Sequence, residues 1–548
     1  MMRLLTAAAV FVALAEAKTP VKTRGSIGEH FNQTLFLEKH SKVPSELKDE
    51  FVLTDITSWD EIILESIVFD PVPVAESGNP LLIFISSWGM NRFEYVVPAN
   101  KFAEKGYTVI SYTARGFWGS GGEINLAGEK DLKDLSTVID WALANTNADP
   151  ARIGLSGISY GGGISLLGAA KDTRVKSIAA MSGWVDLAES FLGNGETIRT
   201  EAVGLLDLLA QLTGSPSPEL NELFDDYFSN ENLDFLYETT FASSPIHYLD
   251  QINANGASVF IANALEDSLF TPNQFVDFYN DLTVPKHIEF APGDHAGPEL
   301  PGLLGLPNQV WDRAGEWLDY YLLDNKSGVD TDMSAVIFNT MNGREVDEYS
   351  AWADVSTSAL EFSFASREQL TEKTATVKTD LKSEKELQTV TTGKGITVNG
   401  GIAFVSETVE AIADIQRPFE MALINRLHGA VFESNRLGSS FKFRGVPTLD
   451  LHFIPESSNG TFVVYLLAVD NLNFGHLFTF SPWTFKDAIA NEVNVLKVEM
   501  TMTSYDFDPE HRLAVVIATE DRLYLDQNPP SEKISIMDGT TFMMPVNA

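Results

Sequence analysis

The pentapeptide Gly157-Ile158-Ser159-Tyr160-Gly161 combines a nucleophilic side chain with the spacing of a tight catalytic turn. It follows a short apolar run at residues 153–155 and precedes a small-residue helical pattern at 162–170. A G-x-S-x-G sequence between a strand and a helix is typical of a nucleophile elbow, which projects one serine above a sheet. The pattern predicts that Ser159 is a nucleophile. The pentapeptide alone could be a chance turn, so the prediction depends on partners further along the chain.

A serine nucleophile needs a base, and the base needs an orienting acid. In α/β-hydrolases the acid and then the histidine follow the serine along the chain. Glu266 and Asp267 both lie just after a predicted strand, and we prefer Asp267 because its side chain is shorter. A charge at the start of a helix is the alternative for either acid. His295 lies in a glycine-bracketed loop after another strand, so we predict it as the base.

Two further histidines lie between the predicted cap exit and the last helix of the first domain. His287 falls inside a strand pattern, which favours a core or edge position, and His247 falls where the cap ends. An oxyanion also needs two donors. The backbone N–H of Tyr160, directly after the nucleophile, is the predicted first donor, and the loop at residues 86–90 is expected to supply the second.

The fold predicted to position these residues is a parallel, doubly wound α/β sheet of the α/β-hydrolase type. Strand and helix patterns alternate over residues 51–323, which is typical of this architecture. Residues 185–250 are helical without a strand signal, and we predict a cap over the carboxyl ends of the strands. A peripheral helical extension is the alternative.

A second, all-β domain is predicted in the C-terminal part. Residues 324–333 are polar and read as a linker, and short alternating runs dominate from there to the end, which favours a β-sandwich or jelly roll of the galactose-binding-like kind. The stretch 367–394 is predicted to be a solvated loop or exposed hairpin. The predicted domains are therefore 45–325, with the cap at 185–250, and 335–548.

Composition excludes several classes of function. The chain of 548 residues carries 76 acidic and 38 basic side chains, a net charge of −38, and this field disfavours nucleic-acid binding. It contains no cysteine, which excludes disulfides, thiolate catalysis and zinc–thiolate sites. We predict neither a metal nor an organic cofactor. Oligomeric state is not predicted.

Residues 1–17 are predicted to be a signal peptide. Arg3 precedes a short apolar run, and Ala15-Glu16-Ala17 has the small residues of a cleavage site before Lys18. A retained N-terminal anchor helix is the alternative. No later stretch approaches 18 uninterrupted apolar residues, so we expect no membrane span and a secreted protein.

Taken jointly, these motifs resemble the X-Pro dipeptidyl-peptidase and bacterial cocaine esterase family of α/β-hydrolases. The resemblance covers roughly residues 45–525. Besides the elbow, Asp267 and Gly293-Asp294-His295, it is carried by the segments Thr113-Ala114-Arg115-Gly116 and Gly119-Ser120-Gly121, by Asp134, Asp140 and Trp141, and by the C-terminal segments 436–443, 448–451 and 507–513.

The resemblance implies a serine acyl hydrolase with Ser159, Asp267 and His295 as its triad. It implies Tyr160 as the first oxyanion donor. Several members supply the second donor from a tyrosine hydroxyl, but Trp88 stands at that position here, and its indole or backbone N–H would have to substitute. Thr113 replaces a usual aspartate, a change expected to affect packing rather than chemistry.

Three interpretations of function stay open at this point. We favour an esterase-like acyl hydrolase, for which apolar cap residues at 191, 205, 206 and 209 would suffice. An X-Pro dipeptidyl-peptidase is the alternative, with Glu189, Glu196 or Glu201 recognising the amine of a peptide substrate. A catalytically silent ligand-binding protein is the third, which a complete triad disfavours.

Overall fold

The structure is a computed structural model that describes residues 51–71, 78–323, 335–343, 345–365, 369–372, 385–393, 395 and 398–547. The predicted signal peptide at 1–17 and the predicted linker at 324–333 lie outside the described residues. So do parts of the predicted loop at 367–394, although two short strands of that stretch are described.

A ten-stranded sheet organises the first domain. Its strands in chain order are β1 Val52–Thr57, β2 Ile63–Phe69, β3 Asn79–Ile85, β4 Thr108–Tyr112, β5 Ala148–Ile158, β6 Val175–Met181, β7 Ser258–Ala264, β8 Lys286–Ala291, β9 Val336–Asn339 and β10 Val346–Tyr349. They lie side by side in the order β1-β2-β4-β3-β5-β6-β7-β8-β9-β10. The neighbouring strands β4, β3, β5, β6, β7, β8 and β9 run parallel. Strands β1, β2 and β10 are joined antiparallel at the edges.

Helices cover both faces of this sheet, as the predicted doubly wound fold requires. The helices of the first domain, those of the cap included, are α1 Val96–Glu104, α2 Glu129–Asn145, α3 Tyr160–Lys171, α4 Leu187–Glu196, α5 Thr200–Thr213, α6 Pro218–Ser229, α7 Leu233–Phe241, α8 Leu249–Asn255, α9 Phe275–Asp281, α10 Leu300–Leu303 and α11 Gln309–Leu322. Every residue of the central strand β3 is buried. Near-continuous apolar strands of this kind are typical of parallel sheets with two covered faces.

The cap comprises α4 to α7, between β6 and β7. The start of α6 shows how local sequence sets its helices. Ser217 accepts a hydrogen bond from the Leu220 N–H, Pro218 occupies the first turn, and the helix ends at Asn230 in a left-handed conformation. The side chain of Leu209, on α5, packs against Gly89 in the loop after β3. The cap therefore contacts the loop predicted to hold an oxyanion donor.

The described part of the second domain is all-β except for the helix α12 Ser406–Ala413 and the short 3-10 helix Met421–Leu423. Its strands are β11 Ser358–Ala365, β12 Gln369–Glu372, β13 Glu386–Thr391, β14 Pro418–Glu420, β15 Gly429–Arg436, β16 Phe441–Gly445, β17 Thr448–Pro455, β18 Gly460–Val469, β19 Phe474–Phe485, β20 Asn494–Glu499, β21 Thr503–Phe507, β22 Arg512–Ala518, β23 Lys533–Met537 and β24 Thr541–Asn547. These strands form one hydrogen-bonded sheet that surrounds a phenylalanine-rich core. The predicted fold class, an α/β-hydrolase domain followed by an all-β domain, is confirmed.

Two strands that follow the predicted domain boundary pair with the first sheet. The sequence pattern places the start of the second domain at residue 335, but β9 and β10 continue the first sheet beside β8. The change between sheets falls between Tyr349 and Ser358. A strand pattern does not say which sheet a strand joins, because pairing depends on tertiary neighbours.

The cap and the all-β domain are in direct contact. The Asn194 side chain donates to the carbonyl oxygen of Pro482 at 2.9 Å, and the hydroxyls of Thr197 and Thr484 lie 3.0 Å apart. The second domain therefore packs directly against the cap.

Candidate active site

Ser159 occupies the turn between β5 and α3 in the strained conformation of a nucleophile elbow. Its φ is 56° and its ψ is −116°. A positive φ is unusual for a residue with a side chain and is concentrated at functional sites. A Cβ on Gly161 would overlap the carbonyl oxygen of Ile85, and one on Gly157 would lie 2.7 Å from Gly161. The two glycines of the motif are therefore required by the closeness of the backbone.

The structure brings together the three residues predicted as a triad. His295 Nε2 lies 2.7 Å from Ser159 Oγ, and His295 Nδ1 lies 2.9 Å from Asp267 Oδ2. The other carboxylate oxygen of Asp267 accepts the N–H groups of Leu269 at 2.9 Å and Phe270 at 2.7 Å. These bonds fix the carboxylate, which in turn orients the imidazole toward the serine. A hydrogen-bonded nucleophile, base and orienting group is the arrangement of covalent acyl transfer.

Acidic neighbours control the charge of His295. Burial by itself lowers its pKa, but its acidic neighbours together, with the charge and hydrogen bond of Asp267 foremost, raise the pKa above the ordinary value of 6.5. The charges of Asp294 and Glu299 act in the same direction. Because only the neutral imidazole can accept the serine proton, activity at this site is expected to increase as the pH rises through the raised pKa.

Asp294 joins three segments of chain at the histidine. Its Oδ1 accepts the backbone N–H groups of Ser268 and His295, both at 2.7 Å, and its Oδ2 accepts that of Phe404 at 2.6 Å. Burial raises the pKa of Asp294 to about 6. This carboxyl group therefore connects the acid loop, the histidine loop and the all-β domain.

Two phenylalanines pack edge-on against the imidazole of His295. The ring centroid of Phe270 lies 5.0 Å from that of His295, and that of Phe404 lies 5.3 Å away. Phe404 has a φ of 64° and belongs to the second domain. Sequence reasoning missed Phe404, because nothing in the local pattern at that position signals a contact so far along the chain.

The structure limits how Trp88 can act as an oxyanion donor. Its indole N–H donates to the carbonyl oxygen of Leu206 in the cap at 2.9 Å, so the indole is occupied. The ring packs edge-on against Tyr160 and Phe117, with centroids 5.3 Å and 5.1 Å away. In the described part of the chain the backbone N–H of Trp88 has no acceptor. Tyr160 is the first residue of α3, where backbone N–H groups lack helical acceptors.

Replacing Trp88 by phenylalanine tests which N–H matters. The indole is bonded to the cap, so we expect kcat for an ester to fall less than about tenfold, whereas loss of a true oxyanion donor costs about 10²–10³-fold. Steady-state kinetics measures the difference. Trp317→Phe is the matched control, since Trp317 is a buried tryptophan on α11. A loss of a hundredfold or more in Trp88→Phe alone would identify the indole as the donor.

The alternative acid and the two other histidines considered from the sequence make their contacts outside the triad. Glu266 accepts the N–H of Gly293 at 2.9 Å, and burial raises its pKa to about 8. His287 stacks on Phe260 within the core, and His247 stacks on Phe241.

The cap acids are engaged elsewhere as well. Glu201 accepts from Arg522 at 2.5 Å, and Glu196 pairs with Lys486 of the all-β domain. Glu189 lies against Gly193 within its own helix, and burial raises its pKa.

Neither a metal-binding cluster nor a membrane-spanning helix is found among the described residues. No group of three or more histidine, aspartate or glutamate side chains is arranged to hold a metal ion there. None of the helices in the ranges that the structure describes is long and apolar enough to cross a membrane.

Two family models match consecutive parts of the chain. The model described as X-Pro dipeptidyl-peptidase (S15 family) matches residues 60–297, and the model described as X-Pro dipeptidyl-peptidase C-terminal non-catalytic domain matches residues 327–544. The chain belongs to this family of serine hydrolases, as the sequence motifs predicted.

Solved structures share the fold over nearly the whole chain. An aminopeptidase from a Thaumarchaeota archaeon is 14% identical with a TM-score of 0.68, covering 94% of this chain and 100% of its own. An α-amino acid ester hydrolase is also 14% identical with a TM-score of 0.68, covering 97% and 100%. A CocE/NonD family hydrolase from Staphylococcus aureus is 11% identical with a TM-score of 0.67, covering 90% and 93%.

Curated relatives match a smaller part of the chain. An uncharacterized 31.7 kDa protein of Escherichia coli is 32% identical over 155 residues, which is 28% of this chain and 54% of the relative. The quorum-quenching protein AidA of Acinetobacter baumannii is 25% identical over 26% of this chain and 49% of its own length. The chain thus spans about half the length of the curated relatives it matches.

Proposed function

We propose that this protein is a serine acyl hydrolase that works through Ser159, His295 and Asp267. The proposal rests on the continuous series of hydrogen bonds from Asp267 through His295 to Ser159 in the nucleophile elbow. His295 Nε2 takes the serine proton while Oγ attacks the substrate carbonyl carbon. The resulting oxyanion is held by the backbone N–H groups of Tyr160 and Trp88.

The rest of the reaction reuses the same base. The imidazolium gives its proton to the leaving group, and the carbonyl–leaving-group bond breaks to form an acyl-enzyme. His295 then removes a proton from water, the water oxygen attacks the acyl carbon, and the proton returns to Ser159 as the carboxylic acid departs. Asp267 stays ionised and holds the imidazole in one tautomer.

Esters are the substrates that the surroundings of the triad favour. An N-terminal peptide amine is a cation that would need a carboxylate with a free oxygen beside the serine. The described acids close to His295 are already bonded to the protein: Asp294 to three backbone N–H groups and Glu299 to the hydroxyl of Ser182 at 3.0 and 3.1 Å. The rings packed on His295 are the apolar Phe270 and Phe404.

An X-Pro dipeptidyl-peptidase is the second candidate. The match of the S15 family model over residues 60–297 favours it. It requires a carboxylate that becomes free when a peptide binds, and Glu201, which accepts the N–H of Ala403 next to Phe404 at 3.3 Å, is the cap acid placed best for that.

Parallel assays separate the two candidates. Short p-nitrophenyl esters and the p-nitroanilides of Gly-Pro and Ala-Pro are hydrolysed side by side by the wild-type chain and by Ser159→Ala. We expect kcat/KM for the esters to exceed that for the anilides by at least tenfold. A clear preference for the anilides would reverse the ranking, and hydrolysis of neither class would contradict the proposed activity.

We also propose that the protein is secreted. The proposal rests on the signal-peptide pattern of residues 1–17. Mass spectrometry of protein from the culture medium is expected to find a chain that begins at Lys18. A chain found only inside cells with Met1 retained would contradict secretion.

A further inference from the structure

Glu94 lies at the junction between the predicted oxyanion loop and the nucleophile elbow. Its Oε2 accepts the backbone N–H of Ser87 at 2.8 Å, and its Oε1 lies 2.6 Å from the hydroxyl of the same serine. That hydroxyl lies 2.9 Å from the carbonyl oxygen of Ile158, the residue before the nucleophile. Ser87 precedes Trp88 directly. One carboxyl group therefore contacts the segment that presents the Trp88 N–H and, through a serine, the segment that presents Ser159.

The hydrogen bonds of this cluster indicate whether the carboxyl group of Glu94 is protonated. The Ser87 hydroxyl has one hydrogen but two close acceptors, the Ile158 carbonyl and Glu94 Oε1. An ionised Glu94 would take that hydrogen and leave two oxygens facing each other at 2.9 Å. A protonated Glu94 donates to Ser87, and Ser87 then donates to Ile158. The phenol of Tyr95 accepts the Ile158 N–H at 2.8 Å and lies 3.3 Å from the Ser87 hydroxyl, which completes the cluster.

We infer that Glu94 is a positioning residue that, as a neutral acid, locks the Ser87-Trp88 loop onto the elbow and so aligns the second oxyanion donor. The inference rests on the proposed acyl-hydrolase function. Glu94 does not touch the reacting atoms, and it acts through the Ser87 amide and hydroxyl. Ionisation of Glu94 releases the bond to Ile158 and loosens the alignment of the two donors.

The electrostatic surroundings of Glu94 agree with a neutral acid. Burial raises its pKa from 4.5 to about 7, while the bonds from Ser87 and Tyr95 oppose that rise only in part. Among the described residues, the titratable group that faces it is the Tyr95 phenol, whose own pKa is raised well above 10 by burial and by Glu94. Among the ion pairs of the described residues none includes Glu94, and the nearby Arg92 is directed toward Asp55 and Glu65.

Glu94→Gln and Glu94→Ala test the inference, with Glu104→Gln as the matched control, since Glu104 pairs with Asn100 on the exposed face of α1. A glutamine presents the same donor and acceptor as the neutral acid. We expect wild-type kcat for a p-nitrophenyl ester to fall several-fold as Glu94 ionises above pH 7. The kcat of Glu94→Gln should stay within about threefold of the wild-type value at about pH 6.5, and it should not fall above pH 7. Glu94→Ala should lose about tenfold in kcat at every pH with little change in KM.

A second measurement does not depend on turnover. A group with a raised native pKa binds a proton more tightly when folded, so its stabilisation is complete below pH 4.5 and is lost as the pH rises to about 7. The Tm of wild type relative to Glu94→Gln should therefore fall between these values and then level off. The inference would be overturned if kcat fell equally above pH 7 in wild type and in Glu94→Gln. It would also be overturned if Glu94→Gln and Glu94→Ala lowered kcat equally. Failure of the proposed function is distinct, since no variant, wild type included, would then hydrolyse the ester.

Discussion

Ser159→Ala is expected to lower kcat for ester hydrolysis by about 10⁵-fold, which leaves only the catalysis that oxyanion donors and binding provide. The hydroxyl 2.7 Å from His295 Nε2 is the atom that would form the acyl-enzyme. Alanine removes it without filling space, so the fold should persist. Stopped-flow and steady-state assays with a p-nitrophenyl ester measure the loss, and circular dichroism checks the fold.

Covalent labelling gives the same test without a substrate. A fluorophosphonate probe should label the wild type and fail to label Ser159→Ala. Ser165→Ala is the matched control, because Ser165 lies on α3, the helix that follows Ser159, and its hydroxyl donates to the carbonyl oxygen of Gly161 at 2.7 Å. Absence of labelling in the wild type would favour the silent ligand-binding protein, and labelling of Ser159→Ala would place the nucleophile elsewhere.

Asp267→Asn is expected to lower kcat by about 10⁴-fold with the fold intact. The side-chain oxygen of the variant can still accept the N–H groups of Leu269 and Phe270. Its amide would instead donate to His295 Nδ1, which forces the ring proton onto Nε2. A protonated Nε2 cannot accept the proton of Ser159, so the base is lost although every atom stays close to its place.

The neighbouring Glu266 supplies the control for this assignment. Its carboxyl group accepts the Gly293 N–H, and with a pKa raised to about 8 by burial it is mostly neutral at pH 7. Glu266→Gln therefore imitates its existing state and should keep kcat within about threefold. A large loss in Glu266→Gln together with a small one in Asp267→Asn would exchange the roles of the two acids.

The order of the strands and helices and the three triad candidates could be predicted from the sequence, because both depend on short local sequence patterns. Alternating strand and helix patterns predict a parallel sheet, and an elbow, an acid and a histidine each come directly after a strand. Parallel strands bring the loops at their carboxyl ends to one edge of the sheet. The contacts among Ser159, Asp267 and His295 result from this topology.

Other features depend on where distant segments meet, and the sequence alone could not predict them. Phe404 packs on His295, and strands β9 and β10 join the first sheet. The indole of Trp88, which the sequence left open as a donor, is bonded to the Leu206 carbonyl of the cap. Glu94 carries no motif, and its importance lies in three oxygens that the fold places around one serine hydroxyl.

The sequence by itself therefore determined which residues are candidates for nucleophile, base and orienting acid, because these candidates follow from residue type and from their order along the strands. Only the tertiary structure decided which N–H groups are free and which carboxyl groups are already bonded. Those properties depend on atoms that the fold brings together from the cap, the sheet and the all-β domain. Burial of these atoms strengthens their hydrogen bonds and shifts their pKa values.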